Sequence, residues 1–223
     1  MLSAERVRHI RSRLESAKNA WVDGRATAGH QGRHVKRNLQ IAEDSAVARE
    51  LGDIIVSALE RHSLFLSAAL PKAIYPPLFN RYDGAEQMHF GAHVDGAVRA
   101  LGSSGRRIRT DISATLFVSS PEEYDGGELE VRDTYGSHAV KLPAGDLVLY
   151  SATSRHHVTP VTRGSRWSSF FWVQSMVQDE AARTMLFELD TAVQGLRKQI
   201  GDTEQVVSLT GLYHNLVRRW AQA

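Results

Sequence analysis

The sequence predicts an α+β protein whose core is mainly β, an antiparallel barrel or jelly roll flanked by N- and C-terminal helices. Three observations carry this. Residues 1–77 place apolar side chains at helical spacing. Residues 78–177 switch to short runs rich in β-branched and aromatic residues, separated by turns. Residues 178–223 return to helical spacing in two stripes. Regularly spaced short strands without intervening helices argue against a βαβ sheet.

With 223 residues, 42% hydrophobic and 23% charged, one well-buried domain with appendages is expected. The formal charge is only +2, and residues 1–77 hold 12 basic against 8 acidic side chains. That excess is too small to demand nucleic acid. The chain has no cysteine, so disulfides, iron–sulfur clusters and thiolate zinc sites are excluded. Any metal must be held by nitrogen and oxygen, and 10 histidines allow it. Met1 to Ile10 carries charges where a signal peptide needs an apolar core. No apolar run approaches the roughly 20 residues that span a bilayer, so no membrane partner and a cytoplasmic location are expected.

In chain order, Val7, Ile10 and Leu14 define a first helix behind a Ser3 cap. Val47, Leu51, Ile54, Ile55 and Leu59 define a second after Asp44 and Ser45. Gly24 to Gly32 between them reads as loop, and Pro71, Pro76 and Pro77 close this supporting region. Strands are predicted at Ile112 to Val118, Glu128 to Val131, Ala139 to Leu142, Leu147 to Tyr150 and Trp167 to Val173. Turns fall at Asp125-Gly126-Gly127, Tyr135-Gly136 and Pro143 to Asp146. Met185, Leu186, Leu189, Val193, Leu196 and Ile200 form one C-terminal stripe, and Val206 to Trp220 a second, capped by Thr203. Both read as packing faces, and the second also permits a homodimer.

Along 165–175, Arg166, Ser168, Phe170 and Trp172 share one face, while Trp167, Ser169, Phe171 and Val173 share the other. Large apolar groups on both faces predict a strand covered twice. An arginine there needs an anionic partner, because an unpaired buried charge is very costly.

The chemistry-bearing segment is His93-Val94-Asp95. In extended backbone, residues i and i+2 project to one side, offering an imidazole and a carboxylate together. A histidine from a neighbouring strand would complete a facial triad suited to Fe(II). His156 and His157 both follow a predicted strand and precede Arg166. A lone His-x-Asp pair in a chain with 10 histidines carries little weight, so on spacing alone scattered surface histidines remain an equal reading. His89 and His93 have the spacing of a helical zinc site but lack its glutamate, and Gly102-Ser103-Ser104-Gly105 reads as a flexible loop.

Longer motifs add to this. Asn80 to Gly84, His89 to Asp95, Arg109 to Phe117, Tyr124 to Leu129, Lys141 to Asp146, Val158 to Arg166 and Phe170 to Ser175 closely resemble the PKHD-type hydroxylases. Trp21 to Gly29 and Ala68 to Pro71 extend the likeness to nearly the whole chain. These are bacterial Fe(II)/2-oxoglutarate dioxygenases, similar to prolyl and lysyl hydroxylases. The resemblance implies a double-stranded β-helix core over 78–177, with a helical region at 1–77 and a helical extension at 178–223.

It further implies that His93, Asp95 and His156 bind Fe(II), and that Arg166 binds the distal carboxylate of 2-oxoglutarate. Ser168 and Tyr82 are further candidates for contact with that cosubstrate, and His157 is read as a neighbour. The reaction implied couples oxidative decarboxylation of 2-oxoglutarate by O2 to hydroxylation of a prime substrate, with L-ascorbate as reductant. A protein side chain or a small amino-acid-like molecule is the implied substrate, and a family link to iron homeostasis adds siderophore-related compounds. Arg107, Arg109 and the 99–107 loop are expected to border the entrance. Gly96 and Ser151-Ala152-Thr153 depart from the family pattern near the pocket rim. A cupin-like metal-binding barrel predicts metal without 2-oxoglutarate; an interaction module predicts neither.

Overall fold

The computed structural model describes residues 1–27, 30–102 and 105–222. Ala28 and Gly29 of the expected loop and Ser103 and Ser104 of the 99–107 loop lie outside them. The helices are α1 (Ala4–Ser16), α2 (His30–Val35), α3 (Ala46–Leu59), α4 (Ser63–Ala69), α5 (Glu180–Ile200) and α6 (Glu204–Trp220). The front strands are β1 (Trp21–Asp23), β2 (Lys36–Arg37), β3 (Leu39–Ile41) and β4 (Pro71–Ile74). The middle holds β5 (Leu78–Asp83), β6 (His89–His93), β7 (Val98–Ala100), β8 (Arg107–Arg109), β9 (Ile112–Phe117) and β10 (Tyr124–Gly126). Then come β11 (Leu129–Arg132), β12 (Ser137–Val140), β13 (Leu147–Ser151), β14 (Arg155–Val158) and β15 (Val161–Ser175).

The expected caps are present. The Ser3 hydroxyl accepts from the Arg6 amide at 3.4 Å, and Ser45 accepts from the Ala48 amide at 3.1 Å. Thr203 caps α6 through the Val206 amide, satisfying an otherwise orphaned helix donor. Strands β1 to β4 depart from the helical reading of the front region. With at most four residues each, they are too short to display a period of two, and loop-like composition surrounds them.

The strands build an antiparallel jelly roll. An eight-stranded sheet runs β1-β3-β5-β15-β9-β13, with β10 and β4 also paired to β15. A five-stranded sheet runs β12-β11-β14-β6-β2. Strand β15 is the centre of the larger sheet, pairing with β5 and β9 on its two sides. Its two faces are both covered. Trp167, Phe171 and Val173 pack in one cluster with Ile10 and Leu14 of α1 and Leu51 and Ile55 of α3. The other face looks toward the smaller sheet, where Leu129, Val131 and Val158 form a second cluster with Tyr82 and Tyr124. Helices α5 and α6 pack on each other, and Leu186 joins Leu70 and Val177 in a third cluster edged by Tyr213, Leu216 and Trp220.

Gly164, near the start of β15, has φ +67°, and a Cβ there would stand 2.0 Å from the Glu123 carbonyl oxygen. Gly164→Ala is therefore expected to cost at least about 2 kcal/mol, from a left-handed backbone plus a clash with main chain. Gly195, in α5, faces open space. Gly195→Ala should instead stabilise by roughly 0.5–1 kcal/mol. Urea midpoints moving in opposite directions would check both.

Candidate active site

Strand β6 ends at His93, and its pairing with β14 sets His93 directly opposite His156. Their imidazole centroids are 4.3 Å apart. Asp95 follows two residues later and turns its carboxylate to the same side. Its oxygens lie 4.0 Å from His93 Nε2 and 3.7 Å from His156 Nε2. One ligand atom from each of the three residues falls within 4.8 Å of the others.

Both rings are held the same way. His93 Nδ1 lies 2.8 Å from the Gly91 carbonyl oxygen, and His156 Nδ1 lies 3.0 Å from that of Ser154. Donation from each Nδ1–H fixes the tautomer that leaves the Nε2 lone pair pointing at Asp95. Burial, and then the adjacent His156, push the His93 imidazole down to about 4, so it is neutral at pH 7. Phe90 stacks on His93 at 3.6 Å, and Tyr150 meets His156 edge-on at 5.0 Å. From the larger sheet, Ser113 Oγ donates to Asp95 Oδ2 at 2.6 Å. Two imidazoles and one carboxylate, with their free atoms converging, suit a divalent first-row cation and leave coordination positions open.

His157 lies on the opposite face of β14, 3.4 Å from Glu130. The strand's alternation thus separates the two adjacent histidines, which the sequence left as alternatives.

Arg166 projects from β15 into the same cavity, which has a volume of about 310 Å³. It is 1% exposed. Its Nη1 donates to Ser168 Oγ at 2.7 Å, and Ser168 in turn donates to Asn80 Oδ1. Tyr82 and Phe117 place ring faces 5.3 and 5.4 Å from the guanidinium carbon. A Cβ on Gly127 would sit 3.1 Å from Arg166 Cδ, so the Asp-Gly-Gly turn makes room for the arginine stem. Among the described residues Arg166 makes no ion pair within 4.0 Å, and its buried Nε has no hydrogen-bond partner. A fixed, desolvated guanidinium of this kind fits a small carboxylate ligand. Burial pushes the Tyr82 hydroxyl up to about 12, keeping it a neutral donor.

Two neighbours escaped the sequence reading as site residues: Ser113 was visible only as part of a longer motif, and Lys36 carried no local signal. Both line the cavity, as do Gly96, Trp172 and Arg99, the first residue of the 99–107 segment expected at the entrance. Arg109 and Arg107 are corrected. The Arg109 guanidinium is turned onto Asp111, at 2.6 and 3.0 Å, where it braces the β8–β9 corner. Neither arginine lines the cavity; Arg99 does.

Lys36 is 6% exposed, and burial followed by repulsion from Arg99 brings its ammonium down to about 8 from an ordinary 10.5. Asp95, Glu43 and Asp23 oppose the shift. Between these two values the unfolded chain binds the proton and the folded chain does not, so stability rises with pH across that window. The cost at pH 7 amounts to roughly 3 kcal/mol. Lys36→Met is expected to stabilise the metal-free protein at pH 7 and to flatten the rise between pH 8 and 10, as urea midpoints would show.

Comparison with known proteins agrees with this geometry. Residues 77–174 match the 2OG-Fe(II) oxygenase superfamily, and residues 180–222 match the PKHD-type hydroxylase C-terminal domain. A PKHD-type hydroxylase of Burkholderia ambifaria is 61% identical over 222 residues, covering 100% of this chain and 96% of the relative. This chain belongs to the PKHD-type hydroxylases. One from Gluconobacter oxydans is 56% identical over 223 residues, covering 100% of the chain and 96% of the relative. In fold, it is similar to a Pseudomonas putida prolyl-4-hydroxylase, with TM-score 0.55 and 22% identity over 78% of this chain and 88% of that one. A Trichoplax adhaerens prolyl hydroxylase gives TM-score 0.54 and 13% identity over 82% of this chain and 83% of that one. As a PKHD-type hydroxylase the chain is an Fe(II)-, 2-oxoglutarate- and O2-dependent dioxygenase with a jelly-roll core. No helix among the described residues is long and apolar enough to cross a membrane.

Proposed function

We propose that His93, Asp95 and His156 hold the iron of this PKHD-type hydroxylase, and that Arg166 receives the distal carboxylate of 2-oxoglutarate. One observation carries the assignment. Ligand atoms of His93, Asp95 and His156, one from each, converge within 4.8 Å, in the cavity that also contains a buried arginine with no anionic partner among the described residues.

When bound, the iron supplies the oxidative chemistry, coupling decarboxylation of 2-oxoglutarate by O2 to hydroxylation of a substrate C–H bond. The protein's own contribution is binding, orientation and exclusion of water. Asp95 brings one negative charge, so a divalent centre stays cationic and attracts a dianionic cosubstrate. Arg166, steadied by Ser168 and lying over the Tyr82 and Phe117 rings, orients that cosubstrate by its far end. Tyr82, with its neutral hydroxyl at the cavity wall, is placed to add a hydrogen bond. Phe90, Phe170 and Trp172 give the cavity apolar walls that keep solvent from the reacting centre. We place the prime substrate among protein side chains and small amino-acid-like molecules, siderophore-related compounds included.

Titrating anaerobic apoprotein with Fe(II) and 2-oxoglutarate tests the assignment. A weak visible charge-transfer band marks a 2-oxo acid chelated to Fe(II). Its absence, with metal bound, would leave a metal-binding barrel. Ser113→Ala removes the hydrogen bond that orients Asp95, and should weaken Fe(II) binding by about tenfold. Fluorescence competition against a metal indicator would measure that.

A further inference from the structure

Strand β15 serves as a ruler along the cavity. Arg166, Ser168, Phe170 and Trp172 occupy successive positions on one face and all line the cavity. At about 3.3 Å per residue, Trp172 lies roughly 20 Å along the strand from Arg166. At the Trp172 end the wall is an aromatic ledge, with Phe170 and Trp172 meeting edge-to-face at 5.7 Å.

Two cations sit on this ledge. Arg99, from β7, places its guanidinium carbon 4.4 Å from the Trp172 ring. Lys36, from β2, places Nζ 5.7 Å from Phe170 and 4.9 Å from Phe90, the ring stacked on His93. The two come from distant parts of the chain, and both line the cavity. Three carboxylates act on this pair, and each has another partner or role. Glu43 stands 3.5 Å from Arg99 and also accepts from the Tyr75 hydroxyl, Asp23 is paired with Arg25, and Asp95 belongs to the proposed metal set. Like charges facing one buried space repel, and desolvation of an ammonium adds to the cost. An anionic group entering between them removes both penalties. Lys36 also lines a neighbouring groove of mixed charge, where Arg37 pairs with Glu86 and Arg25 with Asp23, so a ligand larger than the cavity has a polar path outward.

We propose that the prime substrate presents a carboxylate to Lys36 and Arg99, which select it at the end of the cavity remote from Arg166. This rests on the iron and 2-oxoglutarate assignment above. The carboxylate can be the free end of an amino-acid-like molecule or an acidic side chain within a peptide.

The test uses full-length protein loaded anaerobically with Fe(II) and 2-oxoglutarate, after the charge-transfer band has been recorded. Failure to form that band overturns the assignment of function and is seen before any probe is added. Calorimetric titration then compares N-acetyl-phenylalanine with its amide, and a capped Gly-Glu-Gly peptide with Gly-Gln-Gly. In at least one pair, the carboxylate member should bind tenfold or more tightly than its neutral partner. The pair that discriminates identifies the source. Lys36→Met and Arg99→Met, each still forming the band, should reduce that preference to below threefold. Equal binding within both pairs, no binding by either acid, or a preference retained in both variants would overturn the proposal.

Discussion

His156→Ala is expected to abolish both Fe(II) retention and turnover, while His157→Ala leaves them within about threefold of the wild type. The two residues adjoin in sequence and differ only in the face of β14 they occupy. His156 Nε2 points at Asp95, and His157 points at Glu130. Loss of one imidazole from a three-ligand set leaves a bidentate site, and an outer-shell partner alone is typically worth 10–100-fold in affinity. A primary ligand should cost more, on the order of 10³-fold or beyond. The variant should still fold, because truncating a 5%-exposed imidazole at a cavity wall opens space already continuous with the cavity. Equilibrium dialysis with Fe(II), with circular dichroism as a fold control, decides the matter. Equal loss in the two variants would refute the triad.

Arg166→Met should raise the 2-oxoglutarate concentration needed for half-maximal turnover by about 100-fold, equivalent to about 2.7 kcal/mol. The side chain is 1% exposed, and its fork supplies the cosubstrate carboxylate with charge and geometry together. The same change should leave the unloaded protein equally stable or more so. A buried cation without an anionic partner is a standing cost, and an apolar residue of similar length removes it. A higher cosubstrate requirement alongside an unchanged or raised urea midpoint distinguishes a binding role from a structural one. A higher requirement accompanied by a lower urea midpoint would instead mean that Arg166 holds the core together.

Much of this architecture was legible from residues. Caps at Ser3, Ser45 and Thr203 identified three helices, because a hydroxyl ahead of an apolar stripe is a local device. The alternation along 165–175 correctly placed Arg166 and Trp172 on one side and Trp167 and Phe171 on the other. Strands β5, β6 and β14 were less visible. Leu78 to Asp83 is buried at most positions, which erases the period of two, and the pair of histidines in β14 conceals its alternation. The choice between His156 and His157 depended on the family resemblance, since register is a property of strand pairing and not of spacing. Lys36 was invisible for a related reason. It reaches the cavity only because the two-residue strand β2 pairs with β6, opposite Phe90.

The position of β15 in the chain has a consequence for biosynthesis. This one strand receives hydrogen bonds from β4, β5, β9 and β10, all of which precede it in sequence. While the chain is being made, those four leave the ribosome with no central partner. At roughly 5–20 residues per second, β5 waits on the order of ten seconds for β15 to emerge. During that interval the nascent sheet has open edges, so a chaperone has a defined window in which to act. A transcript truncated before residue 161 would yield a chain whose edges never close, and it should aggregate rather than accumulate as a smaller folded unit.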